Sequence, residues 1–463
     1  MLAWSLIGEL LYVVTRVLGG IDSGDSFEVT VPSWAIAHGS LACAFPSGGV
    51  DGNPLGAPLY AFLTAGPEAL LRIGHSVAFP SASQLGRHCA DAASAIVHWA
   101  LFANVTASTL QLSYVAPVAL AIGAVILVRA TGRGGRVWEP ATVALLVLAA
   151  PVMSAFVDYF HPQDLLALGL ILAALGVGVR GHWGIAGALL AFAFTSQQFA
   201  VLAVAPLVVI LVGRERWRFL FGLGAVLLPA SAALDAVSSS SALRVLLLGS
   251  DRITLGANLF TPHGGTVLWE VHLHGAPLFL ITRAAPIVAS IVLARVIARR
   301  RPDVLADPVL VVSLVGVSLA LRLVFEVNLF GYYFAASAVL LVVLEVLEGR
   351  LRAETLAWLS LSGVAFFPAP QSATTVQVAY VLVIAVAVLA RILHGLWHRH
   401  AYWGAIAYAT ALIIVNTAFT SPFVHRGLDV PSWAWQVILV PAVIGLLARP
   451  LIALVRPSSA LAR

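Results

Sequence analysis

Long apolar runs dominate this chain, and the polar residues between them are too few to coat a soluble globule. The runs lie near 2–20, 109–129, 141–157, 163–179, 184–198, 199–213, 218–235, 277–297, 304–325, 331–348, 355–367, 376–393, 402–417 and 433–448. About 20 apolar residues cross a bilayer as a helix. In hydrocarbon the backbone must bond to itself, which leaves helices as the natural spanning form for such runs. Charged residues make up 10% of the chain, against about 25% in soluble domains. The expected fold is an all-α polytopic membrane protein with about 13–14 transmembrane helices. The runs 184–198 and 199–213 flank Ser196-Gln197-Gln198, which is either a turn between two helices or a break in one reentrant element.

Arginine orients the map. The chain has no Lys, a composition typical of GC-rich, actinobacterial coding sequence. With the N-terminus inside and the runs alternating, the inside loops hold Arg129, Arg133, Arg136, Arg180, Arg214, Arg216, Arg218, Arg295, Arg299, Arg300, Arg301, Arg350, Arg352, Arg391, Arg399, Arg449, Arg456 and Arg463. Outside loops hold Arg72, Arg87, Arg244, Arg252 and Arg426. That asymmetry is the positive-inside pattern. It implies a bacterial plasma-membrane protein with both termini cytoplasmic. Residues 1–20 lack a basic n-region and a small-residue cleavage site, so they read as a retained first helix.

On this map most acids lie outside. The first outer loop, 21–108, is large; a short one surrounds 158–164, and another covers 237–276. Within the first, Pro58–Gly74 has helical apolar spacing and is too short to span. It suits a juxtamembrane helix in the interface, or a small helix packed on the loop's own core. Cys43 and Cys89, the two cysteines of the chain, share this loop. An oxidising exterior permits a disulfide between them, stabilising by about 4 kcal/mol on the chain-entropy account.

Asp22, Asp25 and Glu28 follow Gly19-Gly20 at the end of the first run. Asp25 or Ser26 would cap a following helix at 29–38. Alternatively, a carboxylate there is a general base at the membrane surface. The short loop carries Asp158, His161 and Asp164 before an apolar helix that Pro162 and Asp164 would start, with Asp164 at or near its N-cap. A helix N-terminus favours an anion such as phosphate. Arg322 and Glu326 stand at i, i+4 near an outer end, before Asn328 and the pair Tyr332 and Tyr333. They are a self-neutralising pair or a phosphate clamp. The tyrosines also suit an interfacial anchor. Gln197 and Gln198 read hydroxyls or cap a turn.

His263, His272 and His274 sit with Asp251 and Glu270, but their spacing is loose for zinc, and no metal or cofactor is assigned. His394, His398 and His400 belong to a basic inner face suited to anionic lipid. Walker-type loops, hydrolase elbows and basic-aromatic nucleic-acid patches are absent from the sequence.

Taken by position, this pattern resembles the GT-C superfamily of integral-membrane glycosyltransferases. The residues that carry the resemblance are Asp25, Ser26 and Phe27 after the first helix, then Trp34–Gly39 and Pro58-Leu-Tyr60. His161-Pro-Gln-Asp164-Leu-Leu-Ala-Leu and the late Asn328–Tyr333 complete it. The resemblance is best over residues 1–235, the conserved-type module, with 236–463 a variable C-terminal module.

It implies inverting sugar transfer on the outer face, from a polyprenyl-phosphate-sugar donor to a cell-envelope glycan or glycolipid acceptor. Mannosyl- and arabinosyltransferases are among its members. Asp25 takes the base role, with Asp22 in reserve. His161, Asp164, Gln197, Arg322, Glu326, Tyr332 and Tyr333 face the donor phosphate or sugar. Glu28, Asp158 and His263 are acceptor-side candidates. The other readings are a transporter or flippase of lipid-linked glycans, and a non-catalytic scaffold. Partners are lipid and glycan, with no nucleic acid.

Overall fold

Apolar side chains cannot by themselves say which helix faces meet, so the architecture is best built from close approaches. The computed structural model describes residues 58–74, 115–132, 161–237, 283–325, 331–349 and 432–455, with isolated positions at 32, 33, 36, 37, 152, 352, 354, 355, 358 and 359. Among these the chain is entirely helical. The helices are α1 (Pro58–Gly74), α2 (Val115–Ala130), α3 (Pro162–Val179), α4 (Trp183–Ser196), α5 (Val201–Ile210), α6 (Gly213–Val237), α7 (Ala285–Arg300), α8 (Pro308–Phe325), α9 (Ala335–Leu347) and α10 (Ser432–Val455). Short 3₁₀ turns occupy Gln198–Ala200, Val304–Ala306 and Gly331–Phe334. The apolar runs 2–20, 376–393 and 402–417, and most of 141–157 and 355–367, lie outside the described residues.

Three of these helices are long and apolar enough to cross a membrane: Pro162–Val179, Gly213–Ala236 and Pro308–Phe325. At 18 residues, α3 and α8 each reach about 27 Å. Both are buried around most of their circumference, as is α9. A helix that is apolar all round belongs in the interior. The rim is different: α6 exposes Trp217, Phe221 and Leu228, and α7 exposes Val288, Ile291, Val292 and Val296.

Glycines set the closest seams. A Cβ added at Gly123 would lie 2.1 Å from the Gly169 carbonyl oxygen, and one at Gly176 would lie 2.9 Å from the Leu127 Cα. Arg180 donates to the Arg129 carbonyl at 3.3 Å. The matched positions rise together along both helices, so α2 and α3 run parallel. Such a pair fits a map with one returning run between them. The seam between α4 and α6 is equally tight, since a Cβ at Gly222 would lie 1.9 Å from the Gly184 oxygen.

α3 and α4 form an antiparallel hairpin. Gly181 turns it at φ 85, a left-handed conformation that glycine adopts without a Cβ clash. His182 N–H then bonds back to the Val177 oxygen at 3.0 Å, and Gly181 N–H to the Gly178 oxygen at 2.8 Å. At the far end Ser196 Oγ donates to the Gln163 oxygen at 3.0 Å. The run after α4 resolves as a turn between two helices. Gln197 is extended (φ −156, ψ 134), and α5 follows the 3₁₀ turn. The arms then diverge: α4 packs on α3 and α6, whereas α5 packs on α7 and α8. Arg216 closes α5 by donating to the Leu211 oxygen at 2.7 Å. Here the helix starts at Gly213, five residues before the apolar run, and takes Arg214, Arg216 and Arg218 into its first turns.

α8 begins at a capped turn. Asp307 accepts from Val309 N–H at 3.0 Å, an N-cap geometry. Just before it, Arg301 grips Asp303 through Nε at 2.9 Å and Nη2 at 3.1 Å. That hydrogen bonding holds the Asp303 carboxyl below its ordinary range. α10 docks on α8, where Ser313 Oγ donates to the Leu447 oxygen, and on α9 through charge. Glu345, whose side chain is fully buried, accepts from Arg352 at 2.8 Å and from Arg449 at 2.7 Å. Glu348 completes this group, with Arg449 at 3.1 Å. α1 forms as the spacing predicts and packs on α4, burying Tyr60, Ala61, Thr64 and Ala65 and leaving Phe62 and Leu63 exposed.

Two outcomes are expected. Gly222→Ala forces the α4–α6 backbones apart and lowers stability by about 1–3 kcal/mol. Gly224→Ala, with only Leu228 at 4.0 Å, holds or gains up to about 1 kcal/mol from helix propensity. Thermal unfolding in detergent compares them. In the same assay Glu345→Gln, which leaves two arginines to share Glu348, costs about 3 kcal/mol.

Candidate functional site

Several of the polar residues singled out in the sequence come from separate stretches and gather at one place. His161 and Asp164 open α3, Gln197 ends α4, Arg322 lies in the last turn of α8, and Tyr332 and Tyr333 occupy the 3₁₀ turn before α9. A cleft lies among these elements. It is lined by Asp164, Arg322, Tyr332, Tyr333 and Phe199, with Leu168, Leu319, Ala335 and Ala336 as its apolar wall. It encloses about 290 Å³ with its open mouth included, and its interior is small. There is room inside for about one water.

The helix start differs from the sequence expectation in detail. α3 begins at Pro162, with His161 in the N-cap position and no side-chain cap. Asp164 is therefore inside the first turn rather than at the cap. A carboxylate there still benefits from the positive end of the helix dipole. Asp164 is 5% exposed, and Gln197 Nε2 donates to its Oδ1. Gln197 is itself fixed, because its Oε1 accepts from Gln198 N–H at 3.1 Å. The amide thus spans from its own turn to the α3 carboxylate.

Aromatic rings build the opposite wall. The His161 ring stacks on Tyr332 with centroids 3.7 Å apart at 15°. Tyr332 meets Tyr333 edge-on at 4.4 Å and 75°. The Arg322 guanidinium carbon lies 4.1 Å from the Tyr333 ring centroid and 5.5 Å from that of Phe199. These are cation–π distances, and they hold the cation at the cleft wall. The tyrosine pair is buried in part against His161 and Arg322, so it is more than a surface anchor in this fold.

Phe199, Gln163 and Ser196 carry no site role in the sequence reading. Phe199 looked like one more apolar residue in a run. Gln163 hid in the Pro-Gln-Asp step, although it is 5% exposed and its Nε2 lies 3.1 Å from His161 Nδ1. Asp22, Asp25, Glu28, Cys43, Cys89, Asp158, His263 and Glu326 lie outside the described residues. The i, i+4 pairing of Arg322 with Glu326 and the Cys43–Cys89 bridge lie there with them. Among the described residues no group of three or more His, Cys, Asp or Glu is placed to hold a metal ion.

Chemically, the cleft offers one carboxylate, one guanidinium, two phenols and an amide beside an apolar wall. Arg322 can receive an anion, and the apolar wall can receive a hydrocarbon group next to it. The cluster lies at the opposite end of α3 from Arg180, and Arg129 and Arg180 meet at that other end. No protein family, curated protein or solved structure matches the chain.

A double-mutant cycle tests the Gln197–Asp164 link. Gln197→Ala and Asp164→Asn, alone and together, are expected to couple by about 1–2 kcal/mol in detergent unfolding. Strict additivity would mean that the amide does not hold the carboxylate.

Proposed function

We propose that this chain is a polytopic membrane glycosyltransferase of GT-C type, using a sugar on a polyprenyl phosphate at the outer face of a bacterial plasma membrane. The arginine asymmetry of the sequence and the apolar exposed sides of α6 and α7 support the membrane setting, and the three long apolar helices support it further. The observation that carries the reading is the shared cleft: Arg322 and Asp164 face one another beside an apolar wall, at the end away from the Arg129–Arg180 contact. A lipid phosphate carries an anionic head on a hydrocarbon chain and meets both surfaces there.

In this reading the acceptor hydroxyl attacks the anomeric carbon of the donor. The bond from that carbon to the phosphate oxygen breaks, and polyprenyl phosphate leaves with the electron pair. Asp25 takes the hydroxyl proton as the new glycosidic bond forms. Arg322 neutralises the charge growing on the leaving phosphate, a role in which a preorganised cation contributes most. Gln197 and Asp164 hold the floor of the cleft, and His161 offers a hydrogen bond from its edge.

A transporter of lipid-linked glycans is the second reading, favoured by one observation. The cleft lies where elements packed with α3 and α4 meet elements packed with α8 and α9, and alternating access also places its site between two helix sets. The two readings part in detergent, where no sealed compartment exists. Purified protein is incubated with radiolabelled polyprenyl-phosphate sugars and envelope glycan acceptors. Transfer is expected, and Asp25→Asn abolishes it with unfolding unchanged. Arg322→Gln lowers transfer by about 10²-fold or more. No transfer with any donor, alongside donor binding, favours transport; near-normal turnover in Asp25→Asn sinks the base assignment.

A further inference from the structure

We infer that Gln163 is a positioning residue that holds neutral His161 with its ring proton on Nε2. The inference rests on the proposed reading in so far as His161 serves the cleft. Its geometry stands apart from that reading.

Gln163 is 5% exposed. Its side-chain amide lies 3.1 Å from His161 Nδ1 through Nε2, and its Oε1 has no hydrogen-bond partner among the described residues. The backbone oxygen of the same residue is held by Ser196 Oγ at 3.0 Å, so the residue is anchored while its amide answers to one neighbour. That neighbour cannot tilt away, because the imidazole lies flat on Tyr332 at 3.7 Å.

The amide has two orientations. With Nε2 toward the ring, Gln163 donates one amide hydrogen to a bare Nδ1 and leaves the carbonyl oxygen and the other hydrogen without a partner. Turned over, the carbonyl accepts from a protonated Nδ1, and both amide hydrogens are left buried. Orphaned buried N–H groups are rarer and costlier than under-used carbonyl oxygens. The first orientation therefore wins while the ring is neutral. A bare Nδ1 in a neutral imidazole puts the proton on Nε2. When the ring gains a second proton, the amide turns over and its oxygen accepts from Nδ1–H. Gln163 thus keeps a bond to His161 in both states, and Nε2 is the position that donates.

Among the groups facing this imidazole are Gln163 at Nδ1, the Tyr332 ring stacked on it, and Asp164, which interacts with it through charge. Of these, Gln163 is the one whose amide is recorded against Nδ1.

The test is ¹⁵N NMR of histidine-labelled full-length protein in lipid nanodiscs, at a pH where His161 is neutral. The His161 signals are assigned by their loss in His161→Asn. In the native chain Nδ1 is expected to be unprotonated and Nε2 protonated. In Gln163→Glu, whose carboxylate can only accept, the proton is expected to move to Nδ1 or the ring to become doubly protonated. Gln163→Leu removes the bias, and the signals move toward the mixture of free histidine. A proton on Nδ1 in the native chain overturns the inference without any variant. So does a His161 signal unmoved in both Gln163 variants while each unfolds as the native chain does. The sugar-transfer assay is scored separately. Loss of transfer with the expected tautomer counts against the glycosyltransferase reading alone, and the reverse pattern counts against Gln163.

Discussion

Close backbone approach is the constraint on which the rest of this structure depends. In a chain so apolar, nearly every helix face would bury well against nearly every other, and hydrophobicity alone selects no partner. Where the surroundings are hydrocarbon the selection is weaker still, since lipid tails are as apolar as leucine. Gly123 and Gly169, and Gly187 and Gly222, resolve this by shape: an added Cβ at any of them would enter the neighbouring backbone. Those seams fix α2 on α3 and α4 on α6. Once they are set, the height of each helix end relative to its neighbours follows. The site depends on those heights, because Asp164 and Gln197 meet only if α3 and α4 are in register.

Polar contacts then fix what shape leaves open. At one end Glu345 binds two arginines, one of them 104 residues away, and secures α10 to α9. At the other end the carboxylate of Asp164 is met by a single amide from the α4–α5 turn. The two ends use charge differently. The Glu345 group is a closed set of two acids and two bases, in which removing one member leaves a buried charge exposed to its neighbours. The cleft pairs a guanidinium with aromatic faces and keeps its acid on a neutral donor.

Much of this was legible in the sequence. His161, Asp164, Gln197, Arg322, Tyr332 and Tyr333 stand out because polar residues are rare in such runs and fall at run ends, and run ends on the same side of the map are the positions a bundle gathers. The helices themselves followed from run length. What did not follow was the local detail. The spacing puts Asp164 at or near an N-cap, and it lies near one: the helix opens at Pro162, which sets the buried carboxylate in its first turn. Arg322 pairs with Glu326 by i, i+4 spacing, a pairing that lies outside the described residues; its contacts with Phe199 and Tyr333 come from other elements and have no local signal. Glu345 and Glu348 interrupt an apolar run, which is the available signal for a buried ionic group. Their partner Arg449 belongs to a helix that no local pattern connects to them.

The size of the cleft adds a physical condition to any chemistry carried out there. A water-sized interior cannot admit a phosphate with a sugar and a lipid attached. In the proposed reading the ligand therefore meets a different arrangement of the walls. Those walls belong to two packing groups, and the segment joining them is the 197–199 turn, where Gln197 holds Asp164 and Phe199 lies under Arg322. The interior of either group is held by glycine seams or by a closed ionic set, and moving it would cost several contacts at once. At the cleft the two groups meet through ring faces, and one amide–carboxylate bond ties the joining turn to α3. Net hydrogen bonds of this kind contribute only about 1–3 kcal/mol, an amount that new bonds from a phosphate to Arg322 can offset. Opening is therefore least costly at the seam that passes through the site, and the same residues that would recognise the ligand are the ones it must displace.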